Sequence, residues 1–99
     1  MAKELSSENF DSEIKDLTLV DFWAPWCGPC RAQAPILETL EEEVPGVRVA
    51  KVNVDENEEL ALRYGVRSIP TLIVFENGEP KAKAVGTQSL ENLKKLLGV

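Results

Sequence analysis

The sequence predicts an α/β fold: a mixed sheet of four to five strands with helices on both faces. Three observations predict it. The run Leu17-Thr18-Leu19-Val20-Asp21-Phe22-Trp23-Ala24 is apolar on both strand faces, broken only by Thr18 and Asp21, and a strand buried on both faces needs a layer above it and another below. Strand-like and helix-like patterns then alternate, and two strand–helix–strand units favour parallel pairing through right-handed crossovers. Finally, Asn77-Gly78 separates two strand-like runs, a hairpin signal that adds an antiparallel pair.

The elements follow in order. Lys3–Leu5 can form a short edge strand. Ser6 or Ser7 can cap a first helix running through Lys15, with Phe10 and Ile14 one turn apart on its buried side. The first long strand spans 17–24. A helix follows from about Gly28 to Glu43, in which Ile36, Leu40 and Val44 recur every four residues and Leu37 widens the stripe. Pro35 lies inside it and predicts a kink; Pro45-Gly46 ends it. Val47–Val54 is valine-rich and reads as a strand. Asn57 can cap a short helix carrying Leu60, Ala61 and Tyr64 and closed by Gly65. Thr71–Phe75 is a third strand, and Pro80–Val85 returns antiparallel to it. Ser89 caps a last helix with Leu90, Leu93 and Leu97 inward, Lys94 and Lys95 at its negative end and Gly98 as its stop.

At 99 residues the chain is read as one domain, 1–99, with no internal repeat or linker. Its net charge is −6 and it has no histidine or basic patch, so neither nucleic acid nor membrane is expected as a partner. The start, Met1-Ala2-Lys3-Glu4-Leu5, lacks the apolar core of a signal peptide. No apolar run approaches the roughly 20 residues that span a bilayer. A soluble, cytoplasmic monomer without a cofactor is the expectation. Thiols are kept reduced in that compartment, so a lone cysteine pair there is more often catalytic or metal-binding than a structural staple.

The two cysteines stand in Trp26-Cys27-Gly28-Pro29-Cys30. If Cys27 caps a helix, Cys30 falls on the same side of the first turn, and the sulfurs can bond or separate with little backbone movement. The helix N-terminus offers unpaired N–H groups and the positive end of the dipole, so Cys27 is expected to be held as the thiolate, the species that attacks disulfides. Cys30, inside the first turn, is expected to be less exposed and to resolve the mixed disulfide. Gly28 permits close approach of another backbone, and Pro29 suits a helix start.

Cys30 needs a base, and Asp21, on the strand face of Leu19 and Trp23, is the candidate; a carboxyl among apolar neighbours has a raised pKa. The pattern also admits an aspartate at a sheet edge or bound by backbone amides. Lys51 is either its ionic partner or an edge lysine. Ile69-Pro70-Thr71 places a proline at a strand start. Trp26 reads as an exposed flat surface for substrate, Trp23 as a core residue and Gly86 as at least a turn residue. Two further readings of the cysteine pair remain open: half of a zinc site completed by a dimer, and a structural disulfide closing a short loop.

The run Val20-Asp21-Phe22-Trp23-Ala24-Pro25-Trp26-Cys27-Gly28-Pro29-Cys30 resembles the active-site signature of the thioredoxin family. The likeness continues through Ala34-Pro35-Ile36-Leu37, Lys51-Val52-Asn53-Val54-Asp55, Tyr64-Gly65-Val66-Arg67-Ser68-Ile69-Pro70-Thr71 and Asn77-Gly78, covering nearly the whole chain in order. It implies a thioredoxin fold and a general protein-disulfide reductase, with Cys27 attacking, Cys30 resolving, Asp21 as the buried aspartate, Lys51 as its partner and Pro70 as the family's cis-proline. It further implies a substrate groove formed by Trp26, Gly28, Pro29, Ile69, Pro70, Val85 and Gly86. Disulfide-bearing proteins are the implied substrates, and a thioredoxin reductase, NADPH- and flavin-dependent or ferredoxin-linked, the implied recycling partner. Gly28-Pro29 resembles the reductants of the family rather than its oxidants, which often carry histidine there. Arg31 follows the second cysteine where the family often has lysine.

Overall fold

A computed structural model describes residues 2–99. In chain order the elements are β1 (Lys3–Leu5), α1 (Phe10–Glu13), β2 (Leu17–Trp23), α2 (Gly28–Glu43), β3 (Arg48–Asn53), α3 (Glu58–Arg63), β4 (Thr71–Glu76), β5 (Glu79–Val85) and α4 (Leu90–Leu97). The strands form one sheet in the order β1-β3-β2-β4-β5. β1 and β2 run parallel to β3, while β4 runs antiparallel to β2 and to β5.

The sheet is mixed, as expected, but the second strand–helix–strand unit does not give a parallel strand. α3 has 6 residues, a length of ~9 Å, whereas a six-residue strand spans ~20 Å. The chain therefore never returns to the far end of the sheet. β2 and β3 finish side by side at Trp23 and Asn53, and β4 begins opposite Phe22. β5 ends at Val85, opposite Thr71. The segments after β2, after β3, before β4 and after β5 thus gather at one end of the sheet.

Each face of the sheet has its own apolar layer. Phe10 of α1 and Leu60 of α3 pack with Leu5, Val20, Phe22, Val52, Ile73 and Phe75 on one face. Leu37 and Leu40 of α2 and Leu93 and Leu97 of α4 pack with Leu19, Val49, Leu72 and Val74 on the other. In the first layer Phe10, Tyr64 and Phe75 meet edge-on or tilted, with ring centroids 5.1–5.5 Å apart.

Several local expectations are corrected. The first helix is a single turn, and its N-cap is Asn9 rather than Ser6 or Ser7. Asn9 Oδ1 accepts the Ser6 N–H at 2.8 Å, so residues 6–9 close a turn before the helix starts. The helix ends at Glu13, because Asp16 takes φ 56° to swing the chain into β2. The buried stripe of α2 is Cys30, Gln33, Leu37 and Leu40; Ile36 and Val44 flank it half-buried. β3 is internal, between β1 and β2, so Lys51 is not an edge lysine. Asn57 holds the N-cap position of α3 as expected, but its side chain makes no capping bond and instead bonds the Ser7 N–H and the Asn53 carbonyl.

Other expectations hold. Ser89 caps α4 by accepting the Asn92 N–H, and Gly98 ends the helix in the left-handed conformation. Asn77 and Gly78 take φ of 53° and 85°, the positive values that a tight type I′ hairpin turn requires. The two edge strands differ in kind. β1 is 3 residues long; β5 is mostly exposed and carries Pro80, Lys81 and Lys83.

Candidate active site

Cys27 leaves β2 through Ala24-Pro25-Trp26 and becomes the N-cap of α2. Its backbone is extended (φ −88°, ψ 112°), and its Sγ accepts the Cys30 N–H at 3.2 Å. Pro29 lies in the first turn, where a missing N–H leaves no helical bond unmade. Cys30 sits one turn in, and the two sulfurs are bonded, with Cα atoms 5.2 Å apart. The expected difference in exposure is absent in this oxidised form: each cysteine is 4% exposed. The difference lies in the backbone instead. Cys27 Sγ receives the Cys30 N–H and lies 3.8 Å from the Ile69 carbonyl oxygen, while both cysteines share one buried cluster with Ala24, against which Trp23, Val54 and Ile69 pack.

Around the disulfide, the gathered segments supply a surface. The Ile69–Pro70 bond is cis. Pro70 is buried, and its carbonyl accepts the Gly86 N–H at 2.8 Å. Gly86 has φ 92°, a conformation open to glycine at no steric cost. Val85 is exposed at 57% and Trp26 at 67%, and Gly28 and Pro29 are exposed beside them. The Trp26 indole N–H donates to Asp55 Oδ2 at 2.8 Å, and Asn53 Oδ1 accepts the Asp55 N–H at 2.9 Å. The flat ring is thereby held from the end of β3.

Beneath α2, Asp21 is 1% exposed and neither carboxylate oxygen has a hydrogen-bond partner among the described residues. It sits on the central strand β2, so a sheet-edge aspartate and one bound by backbone amides are both excluded. Burial pushes its pKa up to about 7; Lys51 opposes the rise and Glu4 adds to it. Glu4, Lys51 and Asp21 are register neighbours across β1, β3 and β2. The Glu4 carboxyl is itself raised, chiefly by burial. Lys51 Nζ lies 4.3 Å from the centroid of the Trp23 ring, a cation–π contact. Lys51 acts on Asp21 through space, without a hydrogen bond.

Sequence reasoning passed over three participants. Asp55 anchors Trp26. Thr87 Oγ1 donates to the Pro29 carbonyl at 3.1 Å. Gln33, 0% exposed, bonds both the N–H and the carbonyl of Gln88. A signal for Gln33 existed: it lies four and seven residues before Leu37 and Leu40, a polar residue on an apolar stripe.

The Thioredoxin family model matches residues 1–98. The thioredoxin of Chlamydia pneumoniae is 53% identical over 98 residues, covering 98% of this chain and 96% of that protein. The thioredoxin of Staphylococcus epidermidis is 50% identical over 96 residues, covering 95% of this chain and 92% of that protein. Among solved structures, a mutant thioredoxin from Halobacterium salinarum superposes with a TM-score of 0.87 at 40% identity, covering 97% of this chain and 87% of that one. With the Cys27–Cys30 pair at the start of α2, the chain belongs to the thioredoxin family and is a thiol–disulfide oxidoreductase of the protein-disulfide reductase type.

Proposed function

We propose that Cys27 is the attacking residue and Cys30 the resolving one. The observation that carries this is the N-cap position of Cys27, whose sulfur receives a helix N–H while Cys30 lies within the turn. In the dithiol form the same N–H and the helix dipole stabilise the Cys27 thiolate. That thiolate attacks one sulfur of a substrate disulfide, and the other substrate sulfur leaves as a thiolate that takes up a proton. Cys30 then loses its proton and attacks Cys27 Sγ, so the second substrate thiol is released and the Cys27–Cys30 bond forms. Two electrons pass to the substrate.

Asp21 takes the Cys30 proton. Its pKa of about 7 suits a group that must accept and return a proton near neutrality. Lys51 keeps it from rising further. Trp26, Gly28, Pro29, Ile69, Pro70, Val85 and Gly86 form the groove that receives the substrate backbone. The 99 residues act as one domain, as a cytoplasmic monomer that requires neither nucleic acid nor membrane. Members of this family serve disulfide-bearing proteins and are recycled by reductases; an NADPH- and flavin-dependent enzyme or a ferredoxin-linked one fills that role here.

The test is trapping. Reduced Cys30→Ser, mixed with insulin, accumulates a mixed disulfide that dithiothreitol resolves, and it loses catalysed insulin reduction. Cys27→Ser forms no such adduct. Equal adduct yields from the two variants contradict the assignment of roles.

A further inference from the structure

We propose that Gln33 is a positioning residue for protein substrates: its buried amide clamps the Gln88 peptide and so holds the Gly86–Gln88 wall of the groove against the first turns of α2. This rests on the groove assignment above.

Gln33 lies on the buried face of α2 between Cys30 and Leu37. A fully buried amide is costly unless both its ends are bonded, and both are, to one residue's backbone. Gln33 Oε1 accepts the Gln88 N–H at 2.6 Å and Gln33 Nε2 donates to the Gln88 carbonyl at 3.1 Å. The segment it holds, residues 86–89 between β5 and α4, lies outside the sheet ladder. Most of its other ties lead to the groove. The Gly86 N–H reaches Pro70, Thr87 Oγ1 reaches the Pro29 carbonyl, and Gln88 Nε2 donates back to the carbonyls of Val85 and Gly86 at 3.2 and 3.1 Å. The clamp thus links the helix that bears both cysteines to the strand end that bears Val85 and Gly86, and it does so from a fully buried side chain. A leucine at 33 suits the adjacent apolar layer of Leu37, Leu40 and Leu93, but strands two backbone groups of Gln88.

The experiment compares Gln33→Leu, Gln33→Glu and Trp26→Ala in dithiothreitol-driven insulin reduction, each against the parent at the same pH, with amide exchange followed at Gln88. Gln33→Leu is expected to raise KM for insulin about tenfold, to change kcat by less than about threefold and to speed Gln88 exchange. In Gln33→Glu a protonated carboxyl reproduces both bonds, its O–H donating and its C=O accepting. Its KM relative to the parent is therefore near unity at acidic pH and rises as the carboxyl ionises, a reversal that loss of stability does not produce. A raised KM in Trp26→Ala with parent-like KM in both Gln33 variants overturns the clamp alone. A parent-like KM in Trp26→Ala overturns the groove assignment, and the clamp's role with it.

Discussion

Asp21 and Lys51 face each other across parallel β2 and β3, yet the lysine ammonium rests over the Trp23 ring, 4.3 Å from its centroid. The carboxylate is left with no hydrogen bond among the described residues. A pair tied by a direct bond would keep Asp21 ionised and inert. Here burial dominates and pushes the pKa up to about 7, the range that the proposed proton relay requires.

Asp21 consequently opposes folding at neutral and alkaline pH. Its pKa is about 7 in the folded chain against an ordinary 3.8. The folded state binds the proton more tightly, so the favourable contribution is complete below pH ~4, declines as pH rises and is gone above pH ~7. Asp21→Asn is expected to raise stability by about 4 kcal/mol at pH 8 and by little at pH 4. Urea denaturation of both proteins at the two pH values checks it; equal gains at both would remove titration as the cause.

Lys51→Met takes away the charge that restrains Asp21. The Asp21 titration, followed by carboxyl-carbon NMR, moves upward, and the pH dependence of disulfide formation by Cys30 moves with it. A downward shift contradicts the electrostatic placement.

Asp55→Ala removes the acceptor for the Trp26 indole N–H. The bond is exposed, so stability changes by about 1 kcal/mol or less. The ring loses its fixed orientation, and KM for insulin rises several-fold while the reaction with a small aromatic disulfide is less affected. Steady-state kinetics with the two substrates separate the effects.

Phe10→Ala empties the centre of the aromatic layer. Phe10 is 0% exposed and contacts Phe22, Tyr64 and Phe75. A loss of about 3–5 kcal/mol is expected, measured by denaturant unfolding, with the thiol chemistry intact in the folded fraction.

The features legible in the chain were those set by short-range pattern. β2 announces itself by apolarity on both faces, α4 by Ser89, the leucine spacing and Gly98, and the hairpin by Asn77-Gly78. The cysteine pair and its place at a helix start were equally plain. What escaped depended on partners distant in sequence. Gln33 is explained by a peptide 55 positions away, Asn57 by Ser7 and Asn53, and the position of Lys51 by the ring of Trp23. The antiparallel course of β4 follows from the shortness of α3, a length that pattern reading did not weigh. Asn9 takes the N-cap position without a side-chain cap, its Oδ1 being engaged by the Ser6 N–H of the preceding turn.

A reductase of proteins must hold lengths of foreign chain, some of them partly unfolded, against its own surface. A sheet rim with free backbone groups invites such chain to zip on and stack. β1 is too brief to template that growth, and β5 interposes a proline and two cationic side chains along its open flank. Neither edge thus offers a foreign strand a long open ladder, and the proposed groove lies instead at the end of the sheet that carries the two sulfurs.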